Sequence, residues 1–329
     1  MQTFEWVDAT SVEQAAALLA EDGPGRSVVA KAGGIDLIDL MKEGIVRPAR
    51  VVNLKSIPGL SGIGSGGDGA LTIGALVTLA QIEQSLDIRQ RLPALAKAAE
   101  HAATPQVRNA ATIGGNLLQR PRCWYFRNAL FHQDGHDPAA AAISGQNQYH
   151  AIFDNATSAM VHASTPATAL LAYDAEVELA SAQGGTRRVA LKDFLLPPDA
   201  RRDRDAAIRA GEILVRVHVP ALAGTIRAAY HKQTERESYD WPICDVAVVL
   251  QMDGEVVKDA RVALGWVAPT PRRAHTCERA LIGRPLTAAT AREAAAAAVA
   301  GATPLPQNGY KVPVLEAVVR RTILAASPA

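Results

Sequence analysis

Apolar positions along the first 55 residues fall in short groups separated by turn residues. SVEQAAALLAEDG carries a Ser cap, Glu13 in the first turn, an apolar stripe at helical spacing and a glycine stop, and predicts a helix. RSVVAKAGG predicts a short strand running into a glycine turn, DLIDLMKEG a second helix and ARVVNL a second strand, so this segment is a small α/β unit. From 59 to about 82 the pattern becomes glycine-rich with short β runs, GLSGIGSGGDGALTIGALVTL. TLAQIEQS starts a helix at a Thr cap, and LPALAKAAEHAA forms another that stops near Pro105. VRNAATIGGN (107–116) reads as a β-type run ending in two glycines and an amide. Residues 120–150 read as a loop, SAMVHAST and AEVELASA as strands, and TPATALLAYD between them as a helix. The polar stretch 197–211 is a surface loop, and EILVRVHVP alternates as a strand does. Beyond about 225, TIRAAYHKQ and CDVAVVLQMDGEVVKDARVALGWVAP predict strands, with Asp253-Gly254 as a hairpin turn. TCERALIG and ATAREAAAAAVAG follow as helices, the latter with Gly301 at its end.

Length and composition narrow the function. A chain of 329 residues holds two or three domains. With 34 basic against 33 acidic residues its net charge is +1, which is no footprint for nucleic acid or an anionic membrane. The N-terminal segment shows no signal-peptide pattern, and no apolar run reaches membrane-spanning length. The cysteines are Cys123, Cys244 and Cys277, an odd and widely spaced set that makes no disulfide framework. Three thiols cannot ligate a four-cysteine metal or iron–sulfur site within this chain.

Several stretches invite chemistry. GIGSGG (62–67) matches G-x-G-x-x-G, but a strand follows it where a dinucleotide site needs a helix, so it reads as a β-turn. VVAKAGGIDLIDL (28–40) has the right context: a strand enters Gly33-Gly34 and a helix leaves. Free N–H groups and the dipole at that helix start suit a phosphate, and a plain βα turn is the competing reading. ATIGGN (111–116) is a second glycine pair, read alone as a strand-end turn. Two such turns in one domain favour a diphosphate cofactor. HQDGH (132–136) places two histidines four apart, but Gly135 and Pro138 oppose a helix, and a solvated loop is the stronger reading. YHKQTERESYDWPICDVAV offers a lysine that could reach an anionic or electron-rich ligand, against a solvated strand edge. G-x-S-x-G, HExxH and Walker A patterns are missing, so a cofactor is expected to carry any chemistry.

In order and spacing, KAGGIDLIDLMKEGIVRPARVVNLKSIPGL, TPQVRNAATIGGNLLQRPRCWYFRN and HKQTERESYDWPICDVAV resemble the FAD-binding subunits of molybdenum hydroxylases. That family includes the medium subunit of carbon monoxide dehydrogenase and the flavin domain of xanthine dehydrogenase. The chain resembles in particular the flavin subunits of bacterial periplasmic aldehyde oxidoreductases. The resemblance covers essentially the whole chain. It implies an α+β fold: a vanillyl-alcohol-oxidase-type (PCMH-like) FAD-binding domain of two α/β subdomains, then a carbon-monoxide-dehydrogenase-flavoprotein-like α/β domain. The expected boundaries are 1–222 for the FAD-binding domain, with subdomains about 1–56 and 57–222 and an insertion loop at about 120–150, and 225–329 for the C-terminal domain. By position, Ala30, Lys31, Ala32, Gly33, Gly34, Ile35, Asp36 and Leu37 would wrap the FAD diphosphate. Thr112, Gly114, Gly115 and Asn116 would form the second wall of the groove, Leu214 would pack near the ring system, and Lys232 would reach the flavin.

The resemblance implies an electron-transfer role with no catalytic or metal-ligating residue in this chain. Partners would be a large molybdenum-cofactor subunit and a small subunit with [2Fe-2S] clusters, with no nucleic acid and no membrane span. The compartment is cytoplasmic, or periplasmic by co-export with a signal-bearing partner. Two departures stand out. Ile35 occupies a position where relatives carry a polar side chain, which removes a phosphate contact. The loop after RPRC, which holds a [4Fe-4S] cluster in relatives, has Cys123 alone, so that cluster is expected absent. Arg120, Arg122, Trp124, Tyr125, Phe126 and Arg127 then read as a loop anchor or a partner contact. A self-standing flavin oxidase and an FAD-free scaffold are the competing functions.

Overall fold

The computed structural model describes residues 2–23, 25–133, 136–199 and 204–326. The first segment contains β1 (Glu5–Asp8), α1 (Val12–Leu19), β2 (Val28–Lys31), α2 (Ile35–Lys42) and β3 (Arg50–Asn53), whose strands form a parallel sheet ordered β1-β3-β2. The Ser11 hydroxyl accepts from the Gln14 N–H at 3.1 Å and starts α1 where the cap signal predicts.

The second segment runs through β4 (Ile63–Ser65), β5 (Leu71–Gly74), α3 (Leu79–Gln84), α4 (Leu86–Arg91), α5 (Pro93–Glu100), α6 (Pro105–Ala110) and α7 (Ile113–Leu117). It continues with a 3-10 turn (Ala129–His132), α8 (Pro138–Ser144), α9 (Thr165–Ala172), β6 (Glu176–Ser181), β7 (Thr186–Ala190), α10 (Leu191–Phe194) and β8 (Glu212–Val219). Its sheet is antiparallel in the order β4-β5-β8-β6-β7. Thr78 makes a reciprocal capping box with Gln81 at the start of α3.

The third segment holds β9 (Thr225–Gln233), β10 (Cys244–Asp253), β11 (Val256–Gly265), β12 (Arg272–Arg273), α11 (His275–Leu281), α12 (Ala288–Val299) and α13 (Lys311–Ala325). Its antiparallel sheet is ordered β12-β11-β10-β9, and Gly254 at φ +59° turns the β10–β11 hairpin.

The near-continuous apolar run of β10 has a simple cause: both faces of that sheet are covered. Ala247 and Val249 point into a core shared with α5, α9 and the five-stranded sheet, while Val246, Val248 and Leu250 meet α11–α13. On its other face the five-stranded sheet meets the N-terminal unit, through Ala180, Ile213 and Val215 against Ala15, Ala16 and Val28. The molecule is therefore a stack of three sheets with helices between them, with α+β content.

Four sequence expectations change. VRNAAT is not a strand: Thr104 caps α6 and Pro105 occupies its first turn, a start signal that outweighs the β-branched residues behind it. ATIGGN is not a strand-end turn, because the Thr112 hydroxyl accepts from the Gly115 N–H and opens the one-turn α7. SAMVHAST is extended and buried but belongs to no sheet. The 120–150 stretch is not simply a loop, since it contains the 3-10 turn and α8.

Candidate cofactor groove

The β2–α2 glycine turn meets the α6–α7 junction. A Cβ on Gly33 would lie 2.2 Å from the Ala110 carbonyl oxygen and 3.2 Å from the Ala111 Cα, so the β2–α2 turn and the α6–α7 junction touch backbone to backbone. Gly115 faces Ala32, where an added Cβ would sit 4.0 Å from the alanine methyl. Gly34 has φ +80° and serves as the left-handed N-cap of α2, with no side-chain cap. The first-turn N–H groups of α2, from Ile35, Asp36 and Leu37, therefore have no partner inside their helix. Ile35 is 39% exposed at this edge.

The second turn contributes differently. Gly114 N–H donates to the Ala75 carbonyl at 2.9 Å and Gly115 N–H to the Thr112 hydroxyl at 3.2 Å. These glycines supply closeness rather than free donors. Asn116 Oδ1 accepts from the Ser164 hydroxyl, and that serine caps α9. Beneath them His162 is buried, with Nε2–H donating to the Leu117 carbonyl at 3.2 Å and Nδ1 accepting from the Ser164 N–H. Burial pushes its imidazolium down to about 4, so the ring is neutral.

Charge at the first turn is arranged with care. The Lys31 ammonium lies over the Trp6 ring, 5.2 Å from its centroid. Its pKa is lowered, chiefly by burial and further by Lys55. Asp36 would place a carboxylate beside any phosphate, but it is fully engaged. Arg127 bonds it at 2.6 Å, Arg122 pairs with it at 3.0 Å, and the Arg120 N–H donates to it at 2.9 Å. Both arginines also reach Asp39, one turn along the same face of α2. The cationic run after the second glycine pair is thus a loop anchor, and its arginines neutralise acids beside the first. Sequence reading identified Asp36 as a wall residue but missed this use of it. The signal was available as acids at 36 and 39 against arginines at 122 and 127.

The remaining predicted residues divide. Ala30, Lys31, Ala32, Gly33, Gly34, Ile35, Asp36, Leu37, Thr112, Gly114, Gly115 and Asn116 converge on this groove. Leu214 on β8 is 4% exposed and shares a core with Ile113 and Leu117, directly under α7. Lys232 on β9 sits at the domain interface, donating to the His101 carbonyl at 2.7 Å, and burial lowers its pKa. Cys123 Sγ lies 3.1 Å from His150 Nε2. Burial pushes the thiol up to about 11 and the imidazole down to about 4, so this pair is neutral and unreactive. His132 Nε2 contacts the Phe126 carbonyl at 2.7 Å and His136 meets the Phe131 ring edge to face, so the two histidines of HQDGH are engaged separately; Asp134 and Gly135 lie outside the described residues. Among the described residues no cluster of three or more metal-ligating side chains exists.

The groove therefore offers free first-turn amides, backbone closeness without side chains, one ammonium and neutralised acids. That donor set fits a diphosphate. Comparison with known proteins agrees. The family described as the FAD binding domain in molybdopterin dehydrogenase matches residues 2–222, and the CO dehydrogenase flavoprotein C-terminal domain matches 229–326. The chain is 35% identical to the aldehyde oxidoreductase FAD-binding subunit PaoB of Escherichia coli (strain K12), over 81% of this chain and 82% of that one. It is 31% identical to the 6-hydroxypseudooxynicotine dehydrogenase complex subunit alpha of Paenarthrobacter nicotinovorans, over 98% and 94%. Among solved structures it superposes on a chain of carbon monoxide dehydrogenase from Hydrogenophaga pseudoflava with a TM-score of 0.74 and 29% identity, covering 99% and 97%. With both domains matched in order, the chain belongs to the FAD-binding subunit family of the molybdopterin dehydrogenases, the oxidoreductases that include the aldehyde, xanthine and carbon monoxide dehydrogenases.

Proposed function

We propose that this protein is the FAD-carrying electron-transfer subunit of a three-subunit molybdenum hydroxylase acting on aldehydes or N-heterocycles. The observation that carries the reading is the backbone contact of the β2–α2 glycine turn with the α6–α7 junction beside the free start of α2. FAD held by these residues would supply the redox chemistry of passing electrons from a small [2Fe-2S] partner to an external acceptor. The chain's own residues bind and orient. Ala30 to Leu37 wrap the diphosphate, with first-turn amides donating and the Lys31 ammonium offsetting charge. Thr112, Gly114, Gly115 and Asn116 form the opposite wall. Leu214 backs that wall from the core, and Lys232 presents its ammonium from the C-terminal domain. Substrate oxidation belongs to a large molybdenum-cofactor subunit, so this chain needs no general acid or base. Among the described residues no helix is long and apolar enough to cross a membrane. The complex resides in the cytoplasm, or in the periplasm if a signal-bearing partner exports it.

The test is an absorbance spectrum of the purified chain with iron analysis, before and after acid release of the cofactor. About one FAD per chain without iron supports the flavin subunit. No flavin, even after FAD is added, would leave a scaffold. Flavin with about four irons per chain would mean that the 120–150 segment recruits ligands beyond Cys123.

A further inference from the structure

A buried carboxyl sits where three elements from two domains meet. Asp245 is 0% exposed on β10. Its Oδ2 accepts from the Tyr230 hydroxyl of β9 at 2.8 Å, and its Oδ1 accepts from the Thr168 hydroxyl of α9 at 3.3 Å. Room for this contact is made by Gly265, its register partner on β11. A Cβ there would lie 2.0 Å from Asp245 Oδ1 and 2.1 Å from Thr168 Oγ1. Lys232 is its register partner on the other side, so the two side chains share one sheet face. Thr168 lies one turn beyond Ser164 on α9, and Ser164 bonds Asn116 in the groove wall. The same helix α9 therefore bonds the groove wall through Ser164 and, one turn on, the carboxyl beside Lys232 through Thr168.

We propose that Asp245 is a positioning residue for the Lys232 ammonium: it locks the β9–β10 face onto α9 and sets the net charge that Lys232 presents to the groove. This rests on the flavin reading above. The other groups around the pair are Tyr230 on β9, the His101 ring and carbonyl at the end of α5, Arg108 on α6 and Asp240 before β10; Thr165 and Thr168 of α9 and Gly265 of β11 bring no charge. Burial raises the Asp245 carboxyl to about 7, against the hydrogen bonds from Tyr230 and Thr168. Below that pH it is neutral and Lys232 stands alone; above it the two charges offset.

The test compares wild type with Asp245→Asn, which keeps the shape and loses the charge. In the FAD-loaded protein, the flavin midpoint potential of the variant should lie positive of wild type at pH 8 and coincide with it at pH 6. When both carry Lys232→Met, the pH at which the two potentials part should move higher, because the ammonium no longer favours the ionised carboxyl. Coincident potentials at every pH, or a parting pH that Lys232→Met leaves in place, would overturn the proposal. A second readout needs no flavin. A carboxyl whose folded pKa is raised gives stability that is present below pH 4 and lost as pH rises to about 7. Thermal midpoints of flavin-free wild type relative to Asp245→Asn should fall over that window, and a flat difference also overturns the proposal. Failure of wild type to take up FAD would instead sink the flavin reading. If Asp245→Asn does not fold, Thr168→Val removes one donor and should move the break in the wild-type potential to higher pH; an unmoved break counts against Asp245.

Discussion

At the scale of single residues, the groove depends on atoms that are missing. Gly33→Ala puts a methyl into the Ala110 carbonyl, and neither backbone can retreat without parting the two turns. This substitution is expected to cost about 1–3 kcal/mol of stability, the usual range for overpacking, and to abolish FAD retention on a desalting column. Retention equal to wild type would show that the turns do not frame the cofactor. Two neutral histidines give a pH signature. His150 and His162 are both driven to about 4 by burial, below their ordinary 6.5. Their contribution is complete above pH 6.5 and is lost as pH falls toward 4, on the order of 2–3 kcal/mol each. Urea midpoints should therefore drop between pH 6.5 and 4, and His162→Gln should flatten part of that slope. The Gly33-Gly34 turn was legible because a glycine pair between a strand and a helix is a local pattern, whereas Gly114-Gly115 lies inside α7 and was read as a turn. The roles of Asp36 and His162 were not, because their partners lie 91 residues away at Arg127 and 45 away at Leu117.

Elements show where pattern reading succeeds and where it stops. Helices with a cap and a stripe, such as α1, α3 and α12, stood where the sequence placed them, because cap and periodicity are local. The one-turn α7 was unreadable because five residues hold no period and glycine pairs suggest turns. The seat of α2 is set from outside, by the arginines of the following segment. Arg127 makes four hydrogen bonds there, to Asp36, Asp39 and the carbonyls of Arg120 and Pro121. Arg127→Ala is expected to cost about 2–3 kcal/mol, since it removes four hydrogen bonds and leaves Asp36 and Asp39 to share Arg122. FAD affinity measured by fluorescence titration should fall about tenfold as one positive charge is lost from beside the acids that face the diphosphate, roughly 1.4 kcal/mol. Unchanged affinity would place the phosphate away from Asp36.

For the whole molecule, the 120–150 segment and the chain's end are one structure. Lys311 is fully buried, and its ammonium donates to the carbonyls of Tyr149, His150 and Trp266 at 3.1, 3.0 and 2.7 Å. Asn308 bonds the carbonyls of His150 and Ala151, and Asn147 and Gln307 exchange bonds between side chains and backbone N–H groups. Lys311→Met keeps the volume but leaves the Tyr149 and Trp266 carbonyls without this donor, while the His150 carbonyl keeps Asn308, an expected loss of about 3 kcal/mol in urea denaturation. A loss below about 1 kcal/mol would show that water takes over those carbonyls.

That stitching has a consequence for how the protein is made. Asn147 and Gln307 are 160 residues apart, so residues 147–155 emerge from the ribosome long before their partners do. The 147–155 stretch therefore gains its buried partners only once residues 303–311 have been synthesised. A chain ending before residue 303 is expected to leave the His150 and Ala151 carbonyls without the Asn308 amide that holds both in the full chain.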